Sequence, residues 1–233
     1  MHVPMLKYLL TVVLVAACFM LQSGCQGQES NKPQSHQQSK QVGATRETPI
    51  ATESPYDTIL RELQTNPDNV EALYHLGDLY YRDGLYEKAV ENFFKVVDQD
   101  STRGYVYLKL GTSLNQLKRF AVALDAFSNA VANLKDPAVA YNNMGITYGK
   151  LGRYQEEIDA LKKALNSRPR YASARYNLGV TLIKVGNLDG ARQQYQALNE
   201  FDLTMAQALL DEIEKAAQEP DKRKNNDNSQ ASA

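Results

Sequence analysis

Tryptophan is missing from the 233 residues, and only two cysteines occur. Both, Cys18 and Cys25, fall within the first 25 residues. Everything from Gln26 onward must therefore hold its core by packing, without a disulfide. An excess of basic charge is also missing: 26 Lys and Arg meet 27 Asp and Glu. That balance excludes the broad cationic surface that a nucleic-acid partner requires, so none is expected. Histidine is scarce. His2, His36 and His75 share no metal-ligand spacing, and no cysteine joins them. The chain has no nucleophile elbow, phosphate loop or dinucleotide fingerprint. The acidic cluster Glu156, Glu157 and Asp159 reads as a solvated helix face, with Asp159 and Lys163 as an i,i+4 pair. No active site, cofactor or metal is expected, and the chain is read as a non-enzyme.

Long apolar runs are absent too. The charge-free stretch from Tyr8 to Leu21 spans 14 residues, whereas a helix crossing the bilayer core needs about 20. Preceded by Lys7 and followed by small residues, it has the form of a secretory signal peptide, residues 1–24. Residues 25–54 are rich in Gln, Ser and Thr and offer almost nothing large and apolar to bury. Such a segment is expected to stay disordered and, as a flexible coil, to reach roughly 30 Å. The tail 218–233 reads the same way.

What is present is a lattice. Gly77, Gly111, Gly145 and Gly179 stand 34 residues apart (111−77, 145−111 and 179−145). The residues before them are Leu76, Leu110, Met144 and Leu178. On the same lattice fall Tyr80, Leu114, Tyr148 and Leu182, and then Tyr86, Phe120, Tyr154 and Leu188. A third column, Phe93, Phe127, Leu161 and Tyr195, is large in every unit. Ala89, Ala123 and Ala191 form a small column broken by Glu157. Leu73, Leu76 and Tyr80 recur at helical spacing, Gly84 interrupts, and Ala89, Val90, Phe93, Val96 and Val97 lay out a second apolar face. Gly152 and Gly186 repeat the break, and Lys118 fills that place in the second unit. Each unit therefore reads as two antiparallel helices joined by a tight turn. Asp68 with Glu71 reads as a capping box at the first helix start. Glu157 predicts either a looser contact between the third and fourth units or a carboxylate escaping at a helix flank.

The 34-residue pair with Leu-Gly, then Tyr, then Ala and an aromatic resembles the tetratricopeptide repeat (TPR). YNNMGITYGKLGRYQEEIDALKKAL and YNLGVTLIKVGNLDGA carry the pattern; Ser101 and Lys135 depart from it where Pro is usual. The resemblance implies an all-α fold, a right-handed superhelical solenoid of antiparallel helix pairs with short flanking helices. Four repeats are expected at 70–103, 104–137, 138–171 and 172–203. An N-terminal helix over 55–66 carries Tyr56, Ile59, Leu60 and Leu63. A capping helix over 204–217 presents Met205, Leu209, Leu210 and Ile213, giving the stack a soluble end. The N-terminal cysteines resemble the lipobox of bacterial lipoproteins. QSGC places the lipid on Cys25, and VAAC, the alternative register, places it on Cys18. Either register implies an exported protein, lipid-anchored to the bacterial cell envelope. In a host with two membranes, the lack of Asp after either Cys points, by the family's sorting rule, to the outer membrane, facing the periplasm.

By the same resemblance, the first helix of each pair lines a concave groove that binds protein or peptide ligands. The residues expected to line it are Tyr74, Asp78, Tyr81 and Arg82 in the first repeat, and Leu108, Lys109 and Asn115 in the second. The third supplies Asn142, Asn143, Ile146 and Lys150, and the fourth Tyr176, Asn177, Val180 and Lys184. Asn143 and Asn177 can each donate to and accept from a peptide backbone, and exposed Tyr and Ile supply apolar anchors. Arg82, Lys150 and Lys184 form a basic edge that favours an acidic ligand. Tyr74 and Asp78 stand where the chaperone-tail clamp of some family members has Lys and Asn, so that ligand class is not expected. The function implied is a membrane-anchored scaffold in an envelope assembly, of the pilus, secretion or cell-wall kind. The alternative is a periplasmic holdase that shelters exported or unfolded chains in the groove.

Overall fold

The computed structural model describes residues 54–218, and among them lie ten α-helices and no strand. A first helix, α1 (Pro55–Thr65), precedes four pairs. These are α2 (Val70–Arg82) with α3 (Tyr86–Gln99), α4 (Gly104–Gln116) with α5 (Phe120–Asn133), α6 (Ala138–Lys150) with α7 (Tyr154–Ser167), and α8 (Ala172–Lys184) with α9 (Leu188–Asn199). A last helix, α10 (Leu203–Gln218), closes the series. The first helices of the pairs begin at Val70, Gly104, Ala138 and Ala172, on the 34-residue lattice. Each packs on its own partner, the first three also on the first helix of the next pair and α8 on α10, which is the nearest-neighbour construction of a solenoid. The signal peptide, the lipidation expected at Cys25 or Cys18, the linker before Ser54 and the tail after Gln218 lie outside the described residues. No helix among the described residues is long and apolar enough to cross a membrane.

The turns within the pairs are built alike. The N–H of Leu85, Arg119, Arg153 and Asn187 donates back to the carbonyl of Tyr80, Leu114, Tyr148 and Leu182, at 2.8 to 3.0 Å. This six-residue closure satisfies the last carbonyls of the helix and requires a left-handed residue just before the donor. Gly84, Gly152 and Gly186 supply it with φ of 75°, 72° and 80°, and Lys118 adopts it at 58°. At the start of α2 the cap is Asn69, not Asp68. The Asn69 side-chain oxygen accepts from the N–H of Glu71 and Ala72 at 3.0 and 3.1 Å. It stands one residue closer to the helix than Asp68, within reach of the orphan N–H groups of the first turn. Glu71 does not reach back as a capping box requires; its carboxylate accepts from Arg103, the residue just before α4.

The glycine lattice marks where helices touch. A Cβ on Gly77 would stand 2.8 Å from the Phe93 ring, on Gly111 2.6 Å from Phe127, and on Gly145 2.9 Å from Leu161. The fourth member departs: a Cβ on Gly179 would meet Leu209 of α10, at 2.5 Å. Tyr195, the lattice equivalent of Phe93, is only half-buried. Leu209 is fully buried, so α10 acts as a packing member of the fourth repeat. Ala89, Ala123 and Ala191 are each 0% exposed. The buried side chains group into two cores, one running from Leu73 to Phe127 and the other from Ile158 to Ile213. In the expected pair on α7, Asp159 accepts instead from Gln155 at 3.3 Å, and Lys163 lies 5.9 Å from the centroid of the Tyr141 ring.

Candidate functional site

The predicted groove residues divide into three environments. In the first two repeats most are tied to one another. Lys109 and Asp78 form an ion pair, Arg82 reaches the same carboxylate at 3.6 Å, and the Lys109 ammonium sits 5.4 Å from the Tyr81 ring centroid. Asp78 thus neutralises two of the expected cations, because a carboxylate half-sheltered between two helices attracts both neighbours. Arg82 therefore does not extend a free basic edge. Tyr74 meets Tyr105 edge to face at 5.3 Å and Phe93 at 6.1 Å, and burial pushes its phenol upward. Leu108 and Tyr81 pack half-buried against the first core.

The middle of the surface is a polar seam. Asn115, expected to face a ligand, is only 9% exposed; its amide nitrogen donates to the Thr147 hydroxyl at 2.9 Å. That hydroxyl in turn donates to the Asn143 carbonyl at 2.6 Å. Asn142 is 4% exposed and accepts from the Asn177 amide at 3.0 Å. Asn115 and Asn142 therefore stitch α4 to α6 and α6 to α8, where a buried amide must find a partner. Neither presents its full amide to a bound chain.

The third environment is open. Ile146, Gly149 and Lys150 of α6, Glu157 of α7, and Asn177, Val180 and Lys184 of α8 line a pocket of about 240 Å³. Five of these seven are among the residues expected to line the groove, Gly149 stands on the same outward column as Tyr81 and Asn115, and Glu157 was not expected there. Lys150 and Lys184 are exposed at the rim, each with its ammonium near a ring, Phe120 at 5.8 Å and Tyr154 at 5.7 Å. Neither makes an ion pair among the described residues. Tyr176 packs half-buried on the second core beside Val180.

Glu157 does not escape to solvent. It is 5% exposed, its carboxyl lies under the backbone of Gly149, and a Cβ there would stand 2.5 Å from Oε2. Burial raises its pKa, while Thr181 and the Lys184 ammonium act in the opposite direction. Oε2 has no hydrogen-bond partner among the described residues. No group of three His, Cys, Asp or Glu among the described residues could hold a metal ion.

Two models described as tetratricopeptide repeat match residues 51–106 and 142–202. The chain carries tetratricopeptide repeats. Solved structures agree on the fold. The crystal structure of MamA is 28% identical, covering 69% of this chain and 87% of that one with a TM-score of 0.58. TTC0263, a thermophilic TPR protein of Thermus thermophilus, is 26% identical, with 69% and 87% covered and a TM-score of 0.53. PilW, a widely conserved type IV pilus biogenesis factor, is 22% identical, with 73% and 80% covered and a TM-score of 0.62. No curated protein sequence matches the chain.

Within this TPR solenoid, the buried acid of the pocket and the glycine above it carried a signal in the sequence. Glu157 breaks the Ala column and Gly149 breaks the column of Tyr81, Asn115 and Ile183, both in the third repeat. Two departures in one repeat, one toward large and one toward small, mark an exchange of volume between facing helices.

Proposed function

We propose that this chain is a membrane-anchored TPR scaffold that holds peptide segments of protein partners against α6 and α8 in a bacterial envelope assembly. The observation that carries the reading is the pocket rimmed by Lys150 and Lys184, two cations without an ion-pair partner among the described residues beside the apolar side chains of Ile146 and Val180. Unpaired ammonium groups at an open apolar surface favour an acidic segment, chiefly by steering its approach and excluding basic competitors. The signal-like start and the lipobox resemblance at Cys25, or Cys18, support an N-terminal lipid. An acylated cysteine contributes about 0.8 kcal/mol per buried methylene toward membrane retention. The absence of Asp after either cysteine supports the outer membrane.

The test uses the full chain in its own membrane. Crosslinking and pull-down should return one or two stoichiometric partners, whereas a broad spectrum of clients would favour the holdase reading and overturn the scaffold. Since PilW is a pilus biogenesis factor, pilus components are the first to probe. The double change Lys150→Glu, Lys184→Glu should weaken partner capture at least tenfold and leave the melting temperature within a few degrees, because exposed charges contribute little to stability. Undiminished capture would sink the basic rim. Mass spectrometry of the mature N-terminal peptide assigns the lipid, and an unmodified N-terminus would remove the anchor.

A further inference from the structure

We propose that the pocket between α6 and α8 is an anchor site that takes one neutral, hydrogen-bond-donating side chain of the bound peptide, of the Ser, Thr, Asn or Gln kind, flanked by an acidic residue. This rests on the groove reading above and specifies what the groove selects.

The argument starts from an unsatisfied atom. Glu157 lines the pocket, and its Oε2, buried beneath Gly149, has no partner among the described residues. A buried acceptor left without a donor costs about 1–3 kcal/mol, and the sequence could have avoided that cost. The equivalent position holds Ala in the other three repeats, and all three alanines are fully buried. In the second repeat, moreover, the seam between first helices is bridged by Asn115, whose amide nitrogen donates to Thr147 while its Oδ1 has no partner among the described residues. The third repeat puts Gly149 at the Asn115 position, and the Glu157 carboxyl moves into the vacated space. The acid thus approaches the next helix at Thr181, the equivalent of Thr147, from the pocket side. Thr181 touches the carboxyl and draws its pKa down, but its hydroxyl also donates to the Asn177 carbonyl at 2.8 Å, and Oε2 is left without a partner among the described residues. Whether ionised or protonated, the carboxyl keeps an oxygen able to accept from an incoming donor.

Charge then decides the class of donor. A cationic side chain would meet one carboxyl but two ammoniums, Lys150 and Lys184. A neutral donor meets no such repulsion. A carboxylate on the neighbouring ligand residue meets the two lysines at the rim. Ile146 and Val180 supply contact for the methylenes of the inserted side chain, and an apolar lining with a few placed polar groups is the usual construction of a selective site.

The test is an immobilised array of peptides in which one varied position is flanked by Asp on both sides, probed with the full chain. Gln, Asn, Ser and Thr at the varied position should bind about fivefold better than Leu, the worth of one net hydrogen bond, and better than Lys. Glu157→Met keeps the volume and removes the acceptor; it should abolish the preference over Leu while the chain stays folded by circular dichroism. Glu157→Gln retains an acceptor and should keep part of the preference, a rescue that a purely structural role would not show. Peptide binding without a preference at the varied position, a preference for Lys, or a preference unchanged by Glu157→Met would each overturn the inference and leave the groove reading standing. Failure of every peptide to bind would bring down both.

Discussion

Where the first, second and fourth repeats carry a fully buried Ala, the third carries Glu157, and Gly149 opposite makes the room. Both residues depart from their columns, and only together do they fit, since a larger residue at 149 would collide with the carboxyl. The acid has a consequence for stability. Burial lifts its folded pKa above the ordinary 4.5, against the pull of Thr181 and Lys184. A carboxyl that holds its proton more tightly in the folded chain contributes stability that is fully present below the unfolded value and lost as pH rises through the folded one. Glu157→Gln removes that dependence. The melting temperature of the parent chain, relative to the Gln variant, should therefore fall as pH climbs from below 4.5 toward neutrality. Scanning calorimetry across that range checks this, and parallel curves would show that the acid is solvated in the folded chain.

Among the elements, the four turns share one closure but not one residue. Gly84, Gly152 and Gly186 take the left-handed conformation without a steric cost, whereas Lys118 carries a Cβ into it. Lys118→Gly should raise stability by up to about 1 kcal/mol, the relief of left-handed strain less the extra freedom glycine gives the unfolded chain. Chemical denaturation measures it; a loss would mean that the lysine stem packs usefully on the turn. The last helix shows the opposite relation between pattern and role. In the first three repeats the lattice glycine packs on Phe93, Phe127 or Leu161, but Gly179 packs on Leu209 of α10 and not on Tyr195, which stands at the equivalent position. The fourth repeat thus borrows a side chain from the element that follows it. Periodicity could not show this, because α10 lies beyond the last repeat and off the 34-residue lattice.

At the scale of the whole stack, the buried apolar side chains fall into two cores, and the polar seam, with its Asn115–Thr147 and Asn142–Asn177 bonds, links the first helices α4, α6 and α8. A solenoid whose units touch only their neighbours need not unfold in one step. Leu209→Ala should cost about 2–5 kcal/mol, as expected for a fully buried leucine. The loss should be local. Hydrogen exchange should show α8 to α10 losing protection while α2 to α5 keep theirs, and uniform loss across all helices would show that the two cores unfold as one.

The 34-residue spacing by itself determined the helix pairs, their order, the small columns and the positions of the turns. Each follows from local rules: helical periodicity of apolar residues, the steric need for Gly or Ala at a close crossing, and a left-handed residue at the end of a helix. The close packing at the lattice glycines and the groove lysines Lys150 and Lys184 were legible on that basis. Only the tertiary structure decided which polar groups remain open to a ligand. Asn115 and Asn142 face the next helix closely enough to bond it, Asp78 draws in Lys109 and Arg82, and Glu157 turns inward beneath Gly149. These outcomes depend on distances between helices far apart in sequence. A column of residue types can place a side chain on a face, but whether that side chain finds a partner there depends on how closely the neighbouring helix approaches.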